Sequence, residues 1–174
     1  TRYKAFLTHI FTPFVLRNKP LKNKGHILVV DDEPSMRTTL SILLKREGYQ
    51  VSQAAEGGEA LKILERMKCH MVLTDLKMKG MDGMALLRQV KAVSPHTEVL
   101  IFTAYGTVDS AVEAMKSGAY DYMKKPFDEA ELLLKVARGL EHSALVKEVH
   151  ALKEALKSHK GEEIVAKSKG MEEV

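Results

Sequence analysis

Five residues of the 174-residue chain could do chemistry together: Asp31, Asp32, Asp75, Thr103 and Lys125. They stand directly after, or at the end of, short apolar runs, in Val29-Val30-Asp31-Asp32, Leu73-Thr74-Asp75, Phe102-Thr103-Ala104 and Lys124-Lys125-Pro126-Phe127. Three carboxylates held within several ångströms of one another repel, which raises their pKa values and calls for a cation. Magnesium suits such a set, because it is a hard ion that takes oxygen ligands, keeps several waters and binds through one or two carboxylates plus a phosphate oxygen. Asp32 and Asp75 are the expected direct ligands, Asp31 a direct or water-mediated one, and Lys77 a ligand through its backbone carbonyl. A carboxylate in this setting can attack phosphorus to form an acyl phosphate, with the cation and a lysine neutralising the equatorial oxygens. Asp75 is the candidate nucleophile, Lys125 the point charge, and Thr103 the hydroxyl that hydrogen-bonds a phosphoryl oxygen.

Each residue has a plainer reading when taken alone. Asp32 or Glu33 could cap a helix opened by Pro34, Asp75 could cap a turn, Thr103 could be an ordinary β-branched strand residue and Lys125 a solvated surface charge. Their common position at the same end of the first, third, fourth and fifth strands argues against coincidence. Asp82 is assigned to fixing the Met81-Asp82-Gly83 turn, Met78, Met81 and Met84 to packing, and the single cysteine, Cys69, also to packing.

The elements that must position these residues are legible from His26 onward, where apolar strands alternate with helical patterns. Strands are expected at Ile27–Val30, Gln50–Ala54, Met71–Thr74, Val99–Phe102 and Tyr120–Met123. Pro34 opens a helix with Met36, Leu40, Leu43 and Leu44 on one face, and Gly48 stops it. Further helices run from about Gly58 to Met67, through Leu86, Leu87 and Val90 as far as Ser94-Pro95, and from about Val108 to a stop at Gly118. Five βα units of this kind imply a doubly wound α/β fold, a five-stranded parallel sheet with helices on both faces. In such sheets the carboxyl ends of the strands meet a crevice where the chain order reverses, so the five residues converge there.

The last helix starts near Asp128 and overruns the domain as an extended C-terminal linker. Leu133, Val136, Ala137 and Leu140 suit a sheet-facing stripe, whereas Leu145, Val149, Leu152 and Leu156 recur at the spacing of a coiled-coil seam. Lys157 to Gly161 reads as a flexible break. The organisation expected is a basic extension over 1–24, the main domain over 25–140, a linker helix over 141–160 and a separate start over 161–174.

Charge distribution narrows the function classes. Residues 1–24 carry six basic residues and no acidic one, so the rest of the chain is net acidic although the whole has a formal charge of +4. The basic balance therefore says little about the partners of the folded domain. The arm places Tyr3, Phe6, Leu7, Ile10, Phe11 and Phe14 at helix-like spacing and is read as accessory. No apolar run approaches the ~20 residues that span a bilayer, and one cysteine excludes an internal disulfide, so the expectation is a cytoplasmic protein without a membrane partner.

The stretch Ile27 to Phe127 resembles the receiver domain of two-component response regulators. The resemblance runs through Val29-Val30-Asp31-Asp32-Glu33, Thr74-Asp75-Leu76, Gly80-Met81-Asp82-Gly83, Thr103-Ala104 and Gly118-Ala119-Tyr120-Asp121-Tyr122-Met123-Lys124-Lys125-Pro126-Phe127. It implies a flavodoxin-like strand order, 2-1-3-4-5, and a phosphoryl group accepted on Asp75 from a sensor histidine kinase, with Asp31 and Asp32 holding Mg2+. It further implies Thr103 and Tyr122 as a switch pair, Ala104 beside Thr103 in the phosphoryl-binding loop, Lys125 as the phosphoryl-contacting lysine, and Pro126 as a cis-proline candidate. Lys77 and Tyr105 fall at positions that tune phosphoryl lifetime in the family, and Lys79 stands where many relatives have proline. On this resemblance the chain is a phosphoacceptor with slow autodephosphorylation and not an enzyme in the usual sense.

Residues Glu163 to Val174 resemble the opening of the AAA+ ATPase domain of nitrogen-regulator-type, sigma-54-dependent activators, with Ala166 where glycine is usual. No G-x-x-x-x-G-K-[ST] loop and no helix-turn-helix candidate occur, so DNA and sigma-54 RNA polymerase would be reached only through output domains outside this sequence. The leading expectation is a phosphorylation-activated switch that controls homodimer assembly of a transcriptional regulator. A magnesium-dependent phosphohydrolase and a constitutive dimerisation module are the alternatives.

Overall fold

The computed structural model describes residues 24–169, with side chains as far as residue 156. The basic arm over 1–23 and the final five residues, part of the expected output-domain start, lie outside the described residues. Ten elements alternate along the chain: β1 (His26–Val30), α1 (Pro34–Arg46), β2 (Gln50–Ala54), α2 (Gly57–Arg66), β3 (Met71–Asp75), α3 (Gly83–Val93), β4 (Glu98–Thr103), α4 (Val108–Lys116), β5 (Asp121–Lys124) and α5 (Glu129–Lys169). The strands form one parallel sheet in the order β2-β1-β3-β4-β5. The chain steps outward from β1 to β2 and returns to β3 on the other side, so the order reverses between β1 and β3.

Side chains alternate across a strand, and both faces of this sheet are covered. Ile27, Val29, Met71, Leu73, Leu100 and Phe102 pack with Leu40, Leu43 and Leu44 of α1 and Leu132 and Val136 of α5. Leu28, Val30, Val72, Val99 and Ile101 point the other way, onto Ala60 of α2, Leu86, Leu87 and Val90 of α3 and Ala114 of α4. Two-sided burial explains why the strands read as continuous apolar runs instead of alternating ones. Helix ends follow local chemistry. Gly48 and Gly118 adopt φ of +89° and +92°, a region that costs glycine no Cβ clash, and end α1 and α4. The Asp82 carboxylate accepts the Ala85 N–H at 2.7 Å and caps α3, so its turn-fixing assignment holds.

Two boundaries differ from the sequence expectation in a way that matters: β3 and β4 each extend one residue further, to Asp75 and Thr103. Ladder pairing carries them that far, with Asp75 opposite Phe102 and the Leu76 N–H donating to the Phe102 carbonyl at 3.1 Å.

The expected break at Lys157 to Gly161 is not found, because α5 runs unbroken to Lys169. One glycine costs a helix only about 1 kcal/mol relative to alanine, and Lys157, Lys160, Glu162 and Glu163 around it are good helix formers. The helix also stays tied to the amino-terminal edge of the sheet beyond residue 140. His142 Nδ1 lies 2.7 Å from Glu98 Oε1, the Ser143 hydroxyl donates to the His96 carbonyl at 2.8 Å, and the His96 and His150 rings meet edge to face at 5.4 Å. No described helix is long and apolar enough to cross a membrane.

Leu100 is fully buried in the central layer shared by α1 and α5. Leu100→Ala should cost about 2–5 kcal/mol, read as a lower denaturant midpoint at unchanged slope.

Candidate functional site

The sheet register brings the chemistry-bearing residues to one edge. Val30 pairs with Thr74 and Thr74 with Ile101, so the next residues, Asp31, Asp75 and Phe102, emerge side by side. Thr103 pairs with Lys124, which delivers Lys125 one step beyond. One ligand oxygen from each of Asp31, Asp32 and Asp75 falls within 4.8 Å of the others. Asp31 is almost fully buried and accepts the Glu33 N–H at 2.8 Å, and Asp75 accepts the Leu76 N–H at 2.9 Å. Lys125 reaches across with its Nζ 3.0 Å from Asp31 Oδ2 and 3.7 Å from Asp75 Oδ1.

Electrostatics in this corner are unbalanced. One ammonium faces three carboxylates, which leaves two negative charges over, the charge of one divalent cation. Burial pushes the Asp75 carboxyl above its ordinary range. Lys125 and the Leu76 N–H pull it back, while Asp31 and Asp32 push it further up. A hard divalent ion with oxygen ligands fits this donor set, which consists of carboxylates at a sheet edge with a backbone loop beside them.

Thr103 is fully buried at the end of β4, and its hydroxyl accepts the Tyr105 N–H at 3.2 Å. Tyr122, on β5, is half-buried, with its hydroxyl 2.9 Å from the Ser110 hydroxyl on α4. The Lys125–Pro126 peptide is cis, as expected for Pro126. Ala104 and Lys125 border a groove of about 380 Å³ whose other walls include Met36, Leu40, Leu43, Pro126 and Phe127. That groove is mostly apolar and none of Asp31, Asp32 and Asp75 lines it, so the acidic corner is the chemical site. The Lys77 ammonium sits over the Tyr105 ring, 4.5 Å from its centroid. Of the plainer readings, helix capping fails for Glu33, which occupies the position before α1 without a side-chain cap bond. Met78 and Met81 pack against the core, as assigned.

Three supporting residues were missed from the sequence. Arg37 donates to the backbone carbonyl of Asp31 at 2.6 Å and fixes the peptide that carries the acid pair. A Cβ on Gly83 would lie 2.3 Å from the Asp75 carbonyl oxygen, so α3 can pack beneath Asp75 only with glycine there. A Cβ on Gly106 would lie 2.9 Å from the Tyr122 hydroxyl. Arg37 carried a faint signal, a cation six residues after the acid on the next helix; Gly83 stood in the Gly80-Met81-Asp82-Gly83 stretch with no role attached, and Gly106 carried none, because its partner comes from a distant strand.

Fold and acidic edge together define a doubly wound α/β domain with a carboxylate pocket at the carboxyl edge of its sheet. The chain belongs to the response regulator receiver domain family, whose profile matches residues 27–137. It is 45% identical over 119 residues to the transcriptional regulatory protein ZraR of Klebsiella oxytoca, a match covering 68% of this chain and 27% of that protein. It is 39% identical over 132 residues to the regulatory protein AtoC of Escherichia coli K12, covering 76% of this chain and 29% of that one. The chain thus spans about a quarter of the length of these curated relatives. Among solved structures, NtrX of Brucella abortus in complex with ADP aligns with a TM-score of 0.70 at 35% identity, over 74% of this chain and 30% of that one. The beryllofluoride-activated NtrC4 receiver domain dimer aligns at 0.65 and 36% identity, over 68% of this chain and 98% of that one.

A carboxyl whose pKa is raised on folding weakens the fold as pH climbs from the ordinary aspartate value through the raised one. Asp75→Asn should therefore be more stable than the native chain in metal-free buffer at neutral pH. Thermal unfolding should show that gap closing as pH falls toward about 3.9, the usual aspartate value.

Proposed function

We propose that this chain is a phosphorylation-operated switch in which Asp75 accepts a phosphoryl group from a sensor histidine kinase. One observation carries the reading: the Lys125 ammonium bridges Asp31 and Asp75 at 3.0 and 3.7 Å from the far side of the sheet. In the reaction a carboxylate oxygen of Asp75 forms a bond to phosphorus as the bond from phosphorus to the donor imidazole breaks, and the imidazole takes up a proton as it leaves. Lys125 then turns from carboxylate to phosphoryl oxygen, and the Thr103 hydroxyl gives up the Tyr105 N–H to donate to a second oxygen. Asp31, Asp32, Asp75 and the Lys77 backbone carbonyl would hold Mg2+, which supplies charge neutralisation for the equatorial oxygens when bound.

The output of the switch is assembly with a second copy of the chain. Leu145, Val149, Leu152 and Leu156 leave an exposed apolar stripe along α5 at heptad-like spacing, which supports a two-helix seam. The NtrC4 receiver relative, described as a beryllofluoride-activated dimer, supports the same reading. The parent protein is read as a sigma-54-dependent activator located in the cytoplasm, with residues 161–174 opening its AAA+ output module and residues 1–24 an accessory extension.

Acetyl phosphate with Mg2+ should label the chain once per molecule, and Asp75→Asn should abolish the label. Intact-mass spectrometry checks the stoichiometry. Continuous phosphate release from the native chain would point to a phosphohydrolase instead, and labelling that survives Asp75→Asn would contradict the acceptor assignment.

A further inference from the structure

Tyr122 is held by a small socket. Its hydroxyl lies 2.9 Å from the Ser110 hydroxyl, and its ring packs against the core cluster that α3 and α4 make with the sheet. The position is tight. A Cβ built on Gly106 would come within 2.9 Å of the Tyr122 hydroxyl, 3.1 Å of its Cε1 and 3.3 Å of Thr103 Cγ2, so this loop position is open only to glycine while the ring stays where it is. By contrast Tyr105, in the same loop, is 69% exposed.

Ser110 has a second task that fixes its geometry. It is the third residue of α4, and with Thr107 it forms a reciprocal capping box: the Ser110 N–H donates to the Thr107 hydroxyl at 3.1 Å and the Thr107 N–H donates to the Ser110 hydroxyl at 3.0 Å. A hydroxyl locked in a helix cap cannot rotate freely, so it presents a fixed partner to an incoming phenol.

We propose that Gly106 and Ser110, the loop and first turn of α4, form a socket that positions Tyr122 in its packed-in orientation beside the loop that follows Thr103. This rests on Thr103 and Tyr122 being the switch pair of the phosphoacceptor reading, with the ring filling the space vacated when the Thr103 hydroxyl turns to the phosphoryl group, and it assigns the residues that set the resting balance between the packed and unpacked ring. Part of that balance is supplied before any phosphoryl group arrives, because a ring already seated needs a smaller shift to reach the phosphorylated arrangement.

Nuclear magnetic resonance of the full chain carrying ring-labelled tyrosine tests this directly in the absence of any phosphoryl analogue. Ser110→Ala should lower the ratio of packed to unpacked Tyr122 about three- to tenfold, the range of one neutral hydrogen bond. Its ring signals should move toward those of an exposed tyrosine, Gly106→Ala should move them the same way by crowding, and Ser110→Thr should restore them. Thr107→Ala removes the cap hydroxyl but keeps the Thr107 N–H and carbonyl that hold the Ser110 hydroxyl at 3.0 and 2.9 Å, and should leave Tyr122 in place. Tyr122 signals unchanged in Ser110→Ala, or moved as far by Thr107→Ala, would overturn the socket. Adding beryllofluoride and Mg2+ should return Ser110→Ala to the packed spectrum. If beryllofluoride changes no variant, the phosphoacceptor reading falls, while the ligand-free spectra still decide the socket.

Discussion

Three carboxylates and one ammonium in a buried corner are the interaction from which the rest of this structure takes its meaning. Asp31 is about as inaccessible as any core residue, and the Lys125 side chain that answers it is only 15% exposed. Removing one member of a pair that deep costs roughly 3–5 kcal/mol, because the remaining charge is left buried alone. The pair therefore stabilises only conditionally, and Asp75, 3.7 Å from the same ammonium, has to share it. The fold carries this imbalance because both faces of the sheet are packed and its carboxyl edge is free to host polar chemistry. The cost at the edge is borne by an apolar core that runs through Ile27, Leu73, Leu100 and Phe102.

The path from this corner outward is short. Phe102 supports Lys125, whose Nζ lies 4.8 Å from the ring centroid, and Phe127 closes on Phe102 edge to face at 5.9 Å. On the other side Thr103 ends β4 where the loop to α4 begins, and Tyr122 leans from β5 onto that same loop and helix. Two chains of contacts thus lead away from the corner, one through Phe102 and Phe127 toward α5 and one through Thr103 and Tyr122 toward α4. The length of α5 matters here. At about 1.5 Å per residue its 41 residues extend well past the domain, and its anchorage at Glu98 and His96 makes the emerging segment part of the receiver body instead of a loose tether.

Most of the fold was legible because its signals are local. Alternating apolar runs, Pro34 at a helix start, and Gly48 and Gly118 at helix ends report on their own neighbourhoods, and all ten elements follow from them. The site acids, Thr103 and Lys125 were legible for a related reason, since a strand end followed by a polar residue is a local pattern and parallel topology does the gathering. What stayed hidden depends on two distant segments meeting. Gly83 is glycine because the Asp75 carbonyl lies against it, Gly106 because Tyr122 does, and Arg37 turns back to a peptide of the preceding loop. The expected break near Gly161 failed for the converse reason: a local breaker was outweighed by helix formers on both sides.

Two uncompensated negative charges at the sheet edge make a site that would hold one divalent cation. Magnesium titration of the metal-stripped chain, followed by thermal unfolding, reads that binding. Stability should rise with the logarithm of Mg2+ concentration once a single site fills, and the rise should disappear in Asp32→Asn. A melting temperature that does not respond to millimolar Mg2+, or that responds equally in Asp32→Asn, would contradict the account.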